Sequence, residues 1–585
     1  MTSFHPEPMT ERHHPRGWWV FIVLVVGIYA IGLCRDVTEP WIGLHDWNGA
    51  FFSQLARNLD RYPFGIHHGM PIVAVGSEVP PPTERSIYAT HPPGLVWLVA
   101  GAFRVFGESE WAARVVPIVA SAASLVLLVH LWRVAFGASP ALIAAGFYAV
   151  MPMSVYFGRM VNHEAVCLCA MLAASACWVQ SCRSGPSASG DRGRLAPARD
   201  ATFLTLFGTF LVAGCWIDWS SCLFAAVFLS YVLHRSRRRP VRDGEGRGGI
   251  GRQAAMLTAL PVATGCAAMM AYIVYAGLGG RWADLAAIFF SRATDDRGVA
   301  PRPALAQGGD VWQNTVENLS WPLLVLAAIG LVARLLSLIR ERSKESAGNE
   351  ASASVERRFA ARGALAIIGV TGVIWLAVFP RQYALHQYWL FYLGPAIAMY
   401  AARAVLMLTR SRVGAPSRDL SSPTNLAAGS AEGRIARAGC MLFVMSLAWI
   451  AQFTYFDRGE QAIVQAVAGW RRIREVTGPD DRIILWRDPT WPERRGGYLF
   501  RNIVPPQFAF YADRAFTVEP DPERWAELAA SGRYALFVLS VGEAARGGDS
   551  LLPLRKRYKE VRLSESLIAF VLEPSSRGGM AGARE

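Results

Sequence analysis

Blocks of roughly 17–25 mostly apolar residues, each long enough to cross a hydrocarbon layer of about 30 Å, constrain this chain more than any other feature. They fall near residues 17–34, 110–132, 138–157, 164–182, 201–217, 219–234, 253–276, 321–339, 363–379, 388–408 and 438–455. In lipid every backbone polar group must be satisfied within its own segment, so such blocks have to be helical. A chain of 585 residues and 52% hydrophobic composition, built this way, is expected to be an α-helical polytopic membrane protein of about eleven transmembrane helices.

The net charge of +14 raises the question of nucleic acid, and its distribution answers it. Arginines crowd into alternate loops: Arg183 to Arg199, Arg235 to Arg252, Arg340 to Arg362, and Arg410 to Arg437. These loops are rich in Gly, Ser and Ala and lack interleaved aromatics on which bases could stack. The tendency of basic loops to stay cytoplasmic explains them without any partner, so no nucleic-acid binding is expected. If they are inside, then 35–109, 158–163, the turn around Asp218, 277–320, 380–387 and everything after 456 lie outside. That parity holds only if 91–108 does not cross. Its apolar stretch is short, follows Pro92-Pro93 and carries Arg104, which predicts a surface or re-entrant helix.

Most of the nine cysteines lie within apolar blocks, with no CxxC pair. They read as small packing residues, and neither disulfides nor metal is expected of them. After residue 456 the pattern changes to short apolar runs (483–486, 508–511, 535–540, 567–574) alternating with helical stretches, which predicts a small α/β domain. The expected organisation is a membrane core over 1–456, with 35–109 as its first outer loop, and an outer α/β domain over 457–585. Every candidate site residue precedes 457, so that domain reads as an appendage that donor binding could do without.

Polar residues gather where the apolar blocks meet the outer surface, and ionisable groups there are costly unless paired or used. One cluster is His45-Asp46, opening a segment (47–62) with apolar residues at helical spacing and Arg57 on it. Others are Tyr88-Ala-Thr-His91-Pro-Pro, Tyr156-Phe-Gly-Arg159-Met-Val-Asn-His163-Glu164, Asp218 in WIDWSS, and Arg381-Gln-Tyr383-Ala-Leu-His386-Gln-Tyr388. Taken singly, each has an ordinary alternative. Asp46 could be a helix N-cap, Glu164 a carboxylate suiting a helix dipole, Asp218 the mark of an interfacial turn, and His91 and His386 satisfied interfacial residues. Segment 47–62 is expected to lie along the membrane surface with one apolar stripe buried.

The order of these features carries more than any one of them. An acid after the first span, Ala56-Arg57-Asn58, a basic residue before Pro-Pro, Phe106-Gly-Glu-Ser-Glu110-Trp-Ala-Ala-Arg114, YFGR-x(3)-HE and a late His386-x-Tyr388 follow one another. This resembles the GT-C fold glycosyltransferases, specifically the dolichyl-phosphate-mannose-protein mannosyltransferase-like family that includes bacterial aminoarabinose transferases. The resemblance covers roughly residues 17–410. It implies a multi-pass protein of the bacterial inner membrane, with the C-terminal domain periplasmic and juxtamembrane helices on the outer surface. Such an enzyme moves a sugar from a polyprenyl-phosphate donor to a glycan, lipid or protein acceptor by inverting displacement, with membrane lipids as its surroundings.

Residue by residue, Asp46 stands where the family has its first-loop catalytic acid, although Trp47 replaces the second acid common there. Glu164 keeps the carboxylate of the later cluster, and His91 stands where relatives often place a Lys before Pro. The expected site therefore has Asp46 and Glu164 as catalytic residues. Arg57, Tyr88, His91, Arg159, His163, His386 and Tyr388 are expected to bind substrate. No metal ligand is assigned and no cofactor is required, with room left for a divalent metal. The alternative class is a lipid-linked-sugar transporter or flippase. It should carry ionisable residues near the bilayer midplane and a two-half repeat, neither of which is visible here.

Overall fold

The computed structural model describes residues 16–82, 85–182, 196–238, 263, 265–275, 304–342, 353–379, 386–410, 431–456, 461–486 and 504–572. The first ten helices are α1 (Arg16–Cys34), α2 (Trp47–Arg61), α3 (Phe64–His67), α4 (Gly94–Phe106), α5 (Glu110–Phe136), α6 (Ala138–Val150), α7 (Pro152–Arg159), α8 (His163–Ser181), α9 (Ala196–Ile217) and α10 (Trp219–Arg238). Further apolar helices cover Gly265–Tyr275, Trp321–Arg342, Ala353–Val378, Gly394–Arg410 and Ala431–Phe456. The described residues of the apolar blocks are helical nearly throughout, with a break at Met151. By length and composition, four of the described helices could cross a membrane singly, or six if each of two bent pairs is one span.

The first bend breaks the block near 138–157, which the sequence reads as one span. Pro152 has no N–H to donate and disfavours helical geometry in the residue before it, so Met151 is extended (φ −65°, ψ 128°). α6 and α7 meet there at 60°. The bend sends Tyr156 and Arg159 back to the first loop. Tyr156 Oη donates to the Leu44 carbonyl at 2.8 Å, and Arg159 donates to the Arg35 carbonyl. α1, α5 and α6 pack against one another behind this loop, α5 packs on α8, and α8 pairs with α9.

Helix α2 departs from expectation. Its apolar residues do recur at helical spacing, yet Asn48 to Leu59 are buried without a break. Gln54, Arg57, Asn58 and Arg61, the polar face, are covered by the 72–76 loop and the C-terminal domain. Asn58 donates to the carbonyls of Ile72 and Ala74 at 2.8 Å each, and Arg61 and Gln54 both reach Asp513. The other face takes a ring directly: a β-carbon on Gly49 would collide with Trp41. Segment 91–108 contains α4, whose 13 residues rise about 20 Å, too little to cross alone. It packs on α2, α5 and α9.

The C-terminal domain is α/β, as its alternating pattern suggests. Its five-stranded sheet has the order β2-β1-β3-β5-β4, from β1 (Arg482–Leu485), β2 (Ala515–Val518), β3 (Leu536–Ser540), β4 (Lys559–Arg562) and β5 (Leu567–Val571). β2, β1 and β3 run parallel, and β4 and β5 add an antiparallel edge. One face buries Trp525, Phe537 and Phe570. The domain is no loose appendage. The Trp41 N–H donates to Tyr511 Oη at 2.8 Å, Tyr511 Oη donates to Glu110 at 2.9 Å, and Arg471 pairs with Glu110 at 2.7 Å.

These contacts put the domain and the first loop on one face of the bundle, the arrangement the charge parity of the loops requires. In a cysteine-free background, single cysteines at Glu78 and Lys556 should both label with an impermeant maleimide from the outer face. A cysteine at Ser187, in the first arginine-rich loop and outside the described residues, should label only after the membrane is opened. Labelling of position 78 or 556 only from inside would reverse the orientation.

Candidate active site

The first loop is shaped to present Asp46. His45 sits at φ +61°, a left-handed conformation uncommon for a residue with a side chain, and turns the chain into α2. Asp46 then occupies the N-cap position, but its own backbone is helical and its side chain makes no cap hydrogen bond. Its carboxylate instead accepts the Gly43 N–H at 2.9 Å and Arg114 Nη2 at 3.2 Å, both on Oδ2. Arg114, almost fully buried near the start of α5, also donates to the carbonyls of Val37 (3.0 Å) and Glu39 (2.5 Å). Its guanidinium lies 4.3 Å over the Trp41 ring. The ordinary N-cap explanation of Asp46 is therefore replaced by a buried ion pair between residues far apart in sequence.

His45 and Arg159 both lie within reach of this acid's charge, and His45 leads on to Tyr388 and His386. The His45 ring meets the Tyr388 ring edge-on at 5.5 Å, and Tyr388 Oη lies 2.6 Å from His386 Nδ1. Arg159 is near enough to Asp46 for their charges to interact. Burial pushes the His45 imidazole down to about 4, so it is neutral at physiological pH.

A second group packs against Phe51 and Phe52 of α2. His91 stacks on His163 with ring centroids 4.4 Å apart and planes 18° from parallel, and Tyr88 also stacks on His91, with centroids 6.0 Å apart. Phe52 of α2 meets His163 edge-on at 4.8 Å. His91 Nδ1 is 2.5 Å from Asp218 Oδ1, while Asp218 Oδ2 accepts the Ser220 N–H at 3.1 Å. Burial alone would raise the Asp218 carboxyl, but the His91 and His163 rings outweigh it and hold the acid below its ordinary range. His91, His163 and Asp218 offer ligand atoms that all lie within 4.8 Å of one another, a donor set that fits a divalent cation.

Glu164 follows His163 in the first turn of α8 and is 5% exposed. Its Oε2 is buried without a hydrogen-bond partner, as are Thr90 Oγ1, Asn162 Nδ2 and Ser53 Oγ. Buried polar atoms are nearly always satisfied, so this many orphans together mark a place where a polar ligand belongs.

Of the residues singled out in the sequence, the structure brings Arg159 near Asp46, links Tyr388 and His386 to His45, and stacks Tyr88, His91 and His163, with Glu164 next in the chain. Arg381 and Tyr383 lie outside the described residues. Arg57 is in neither group. It stands about 16 Å along α2 from Asp46 and is engaged by Gln54 (2.5 Å), the Phe510 carbonyl (2.9 Å) and Glu108. Two members were not assigned from sequence. Asp218 looked like an interfacial turn, and Arg114 was part of a motif with no role. The available signal for both was an ionisable residue at the end of an apolar block with no local partner.

Against this geometry, residues 90–187, from the residue before His91 to beyond Glu164, match a family model described as dolichyl-phosphate-mannose-protein mannosyltransferase. No curated protein matches the chain in sequence. Among solved structures it is similar to ArnT from Cupriavidus metallidurans bound to undecaprenyl phosphate. The TM-score is 0.56 at 14% identity, over 97% of this chain and 100% of that one. It is also similar to the oligosaccharyltransferase AglB from Archaeoglobus fulgidus in complex with an inhibitory peptide and a dolichol-phosphate. There the TM-score is 0.52 at 14% identity, over 93% of this chain and 72% of that one. At that identity the likeness is one of fold: the chain has the GT-C glycosyltransferase fold.

Proposed function

We propose that this protein is an integral-membrane glycosyltransferase that moves a sugar from a polyprenyl-phosphate donor to a hydroxyl of a glycan, lipid or protein acceptor. The reaction takes place at the outer face of the bacterial inner membrane. The observation that carries the reading is two polar groups along α2. A carboxylate is fixed by Arg114 where the helix starts, and a stacked imidazole pair lies against Phe52 of the same helix, with unsatisfied polar atoms of Thr90, Asn162 and Glu164 next to it in sequence. Solved structures of the same fold hold lipid phosphates.

In this reading Asp46 takes the acceptor's proton on Oδ1, since Gly43 and Arg114 both occupy Oδ2. The acceptor oxygen attacks the anomeric carbon as the phosphate departs from the opposite face, inverting the configuration. Negative charge growing on the phosphate meets Arg159 and the imidazole of His91, which Asp218 holds in place. No cofactor is invoked, although the His91, His163 and Asp218 set would also suit a divalent metal. Incubating the purified protein with synthetic polyprenyl-phosphate sugars tests the proposal. Release of polyprenyl phosphate with an inverted glycoside is expected. Lipid-linked sugar that changes leaflet intact, without release, would favour a flippase instead.

Glu164 gives a sharper test of the second group. An unpaired buried carboxylate costs stability, so Glu164→Gln should leave the melting temperature unchanged or raise it. Transfer should fall by about tenfold or more, and Glu164→Asp should retain more activity than Gln. A role limited to the helix dipole predicts the opposite pattern, mild destabilisation with parental activity.

A further inference from the structure

Three cysteines separated in sequence meet in one place. Cys215 lies near the end of α9, Cys222 in the first turns of α10, and Cys266 on the helix Gly265–Tyr275. The Cys215 and Cys266 sulfurs are 3.4 Å apart, and the three Sγ atoms all lie within 4.8 Å of one another. Cys215 is buried and the other two are partly exposed. Among the described residues the remaining six free cysteines form no such group. Packing alone asks only for small apolar side chains at these positions, and does not require three thiols from three helices to point at one centre.

We infer that Cys215, Cys222 and Cys266 form a three-thiolate binding site for a soft metal ion, Cu(I). Three sulfurs each about 2.3 Å from a central ion stand about 4 Å from one another, which the observed separations bracket. Thiolates select soft ions. Zn(II) in structural sites takes four ligands, and a trio suits trigonal Cu(I) better. Binding needs no redox partner if the metal arrives as Cu(I): sulfur–metal bonds replace S–H bonds and the protons leave to solvent.

The position gives the site a consequence. Asp218, which holds His91, lies in the turn between Cys215 and Cys222. A metal joining α9, α10 and the third helix would clamp that turn from behind. This consequence rests on the proposed transferase reading, whereas the binding site itself does not.

The test uses the full chain in detergent, reduced and anaerobic, given Cu(I) from a bicinchoninate complex. About one copper per chain should be retained after desalting, with a higher melting temperature than the metal-free protein. Cys215→Ser and Cys266→Ser should each weaken copper binding by about tenfold or more, and Cys440→Ser should not change it. Melting of the metal-free variants close to the parent excludes misfolding as the reason. Failure of the parent to take up Cu(I) overturns the inference, as does uptake indifferent to Cys215 and Cys266. Isolation of a Cys215–Cys266 disulfide that takes up no copper after reduction also overturns it. Copper retention is read without any transferase assay, so its failure and that of the proposed reaction are separable.

Discussion

Asp46→Asn should lower turnover by about 10²-fold or more, because a neutral amide cannot take the acceptor's proton. Donor binding should survive, since the proposed phosphate ligands His91 and Arg159 are both kept. The structure also changes what the variant should do to stability. As an N-cap, Asp46 would be replaced by Asn with little loss, whereas Ala would cost about 1 kcal/mol. The carboxylate makes no such cap bond and faces Arg114, whose side chain is 2% exposed. Removing the charge leaves that guanidinium with neutral acceptors only, the Asn amide oxygen and the Val37 and Glu39 carbonyls, so a loss of about 1–3 kcal/mol is expected. Thermal melting and transfer from a polyprenyl-phosphate donor, measured on the Asn and Ala variants together, separate the roles. An Asn variant that transfers sugar at the parental rate would remove Asp46 as the base.

The second large effect is structural. Asp513 should be the latch of the C-terminal domain, and Asp513→Ala should cost about 3–5 kcal/mol by taking the carboxylate partner from Arg61 and leaving Arg57 to Glu108 alone. Its side chain, 4% exposed, pairs with Arg61 and with Arg57 at 3.4 Å. It also accepts the Gly76 N–H at 3.2 Å and Gln54 Nε2 at 3.2 Å. Burial would raise this carboxyl, but Arg57 and Arg61 more than offset that and hold it well below the usual range. The sign follows directly: a depressed acid contributes stability above its unfolded pKa and loses it only as pH falls toward the folded one. Docking should therefore be insensitive to pH near neutrality and weaken only in strong acid. Limited proteolysis should release the C-terminal domain from the Ala variant much faster than from the parent. Equal protection of the two would show that the latch lies elsewhere.

This docking also bears on Arg57. From sequence it is a cation on a surface helix beside a catalytic acid, a reasonable phosphate ligand. In the fold it is flanked by Glu108 and the Phe510 carbonyl, with the Phe510 ring 4.4 Å beneath its guanidinium. Its periodicity within α2 was legible, but the element covering its face lies more than 450 residues away. The same limit hid the burial of α2. An amphipathic pattern states that two faces differ, and says nothing of whether the polar one meets water or a second polar surface.

What the sequence determined by itself is local or cumulative. Runs of apolar residues at membrane length must be helices because lipid offers the backbone no partners, and alternation after 456 must give strands. Arginine placement sorts the loops into two sets, and the candidate site residues are expected on one of them because unpaired charge is expelled from apolar blocks to their ends. The tertiary structure decided which of those ends touch. Arg114 completes Asp46 across 68 residues, Asp218 completes His91 across 127, and Cys266 joins Cys215 across 51. A charged or thiol side chain carries the same local signature whichever partner it meets. Its partner is fixed by which helix ends pack together, and that follows from the summed fit of whole apolar faces, not from the residues whose chemistry depends on it.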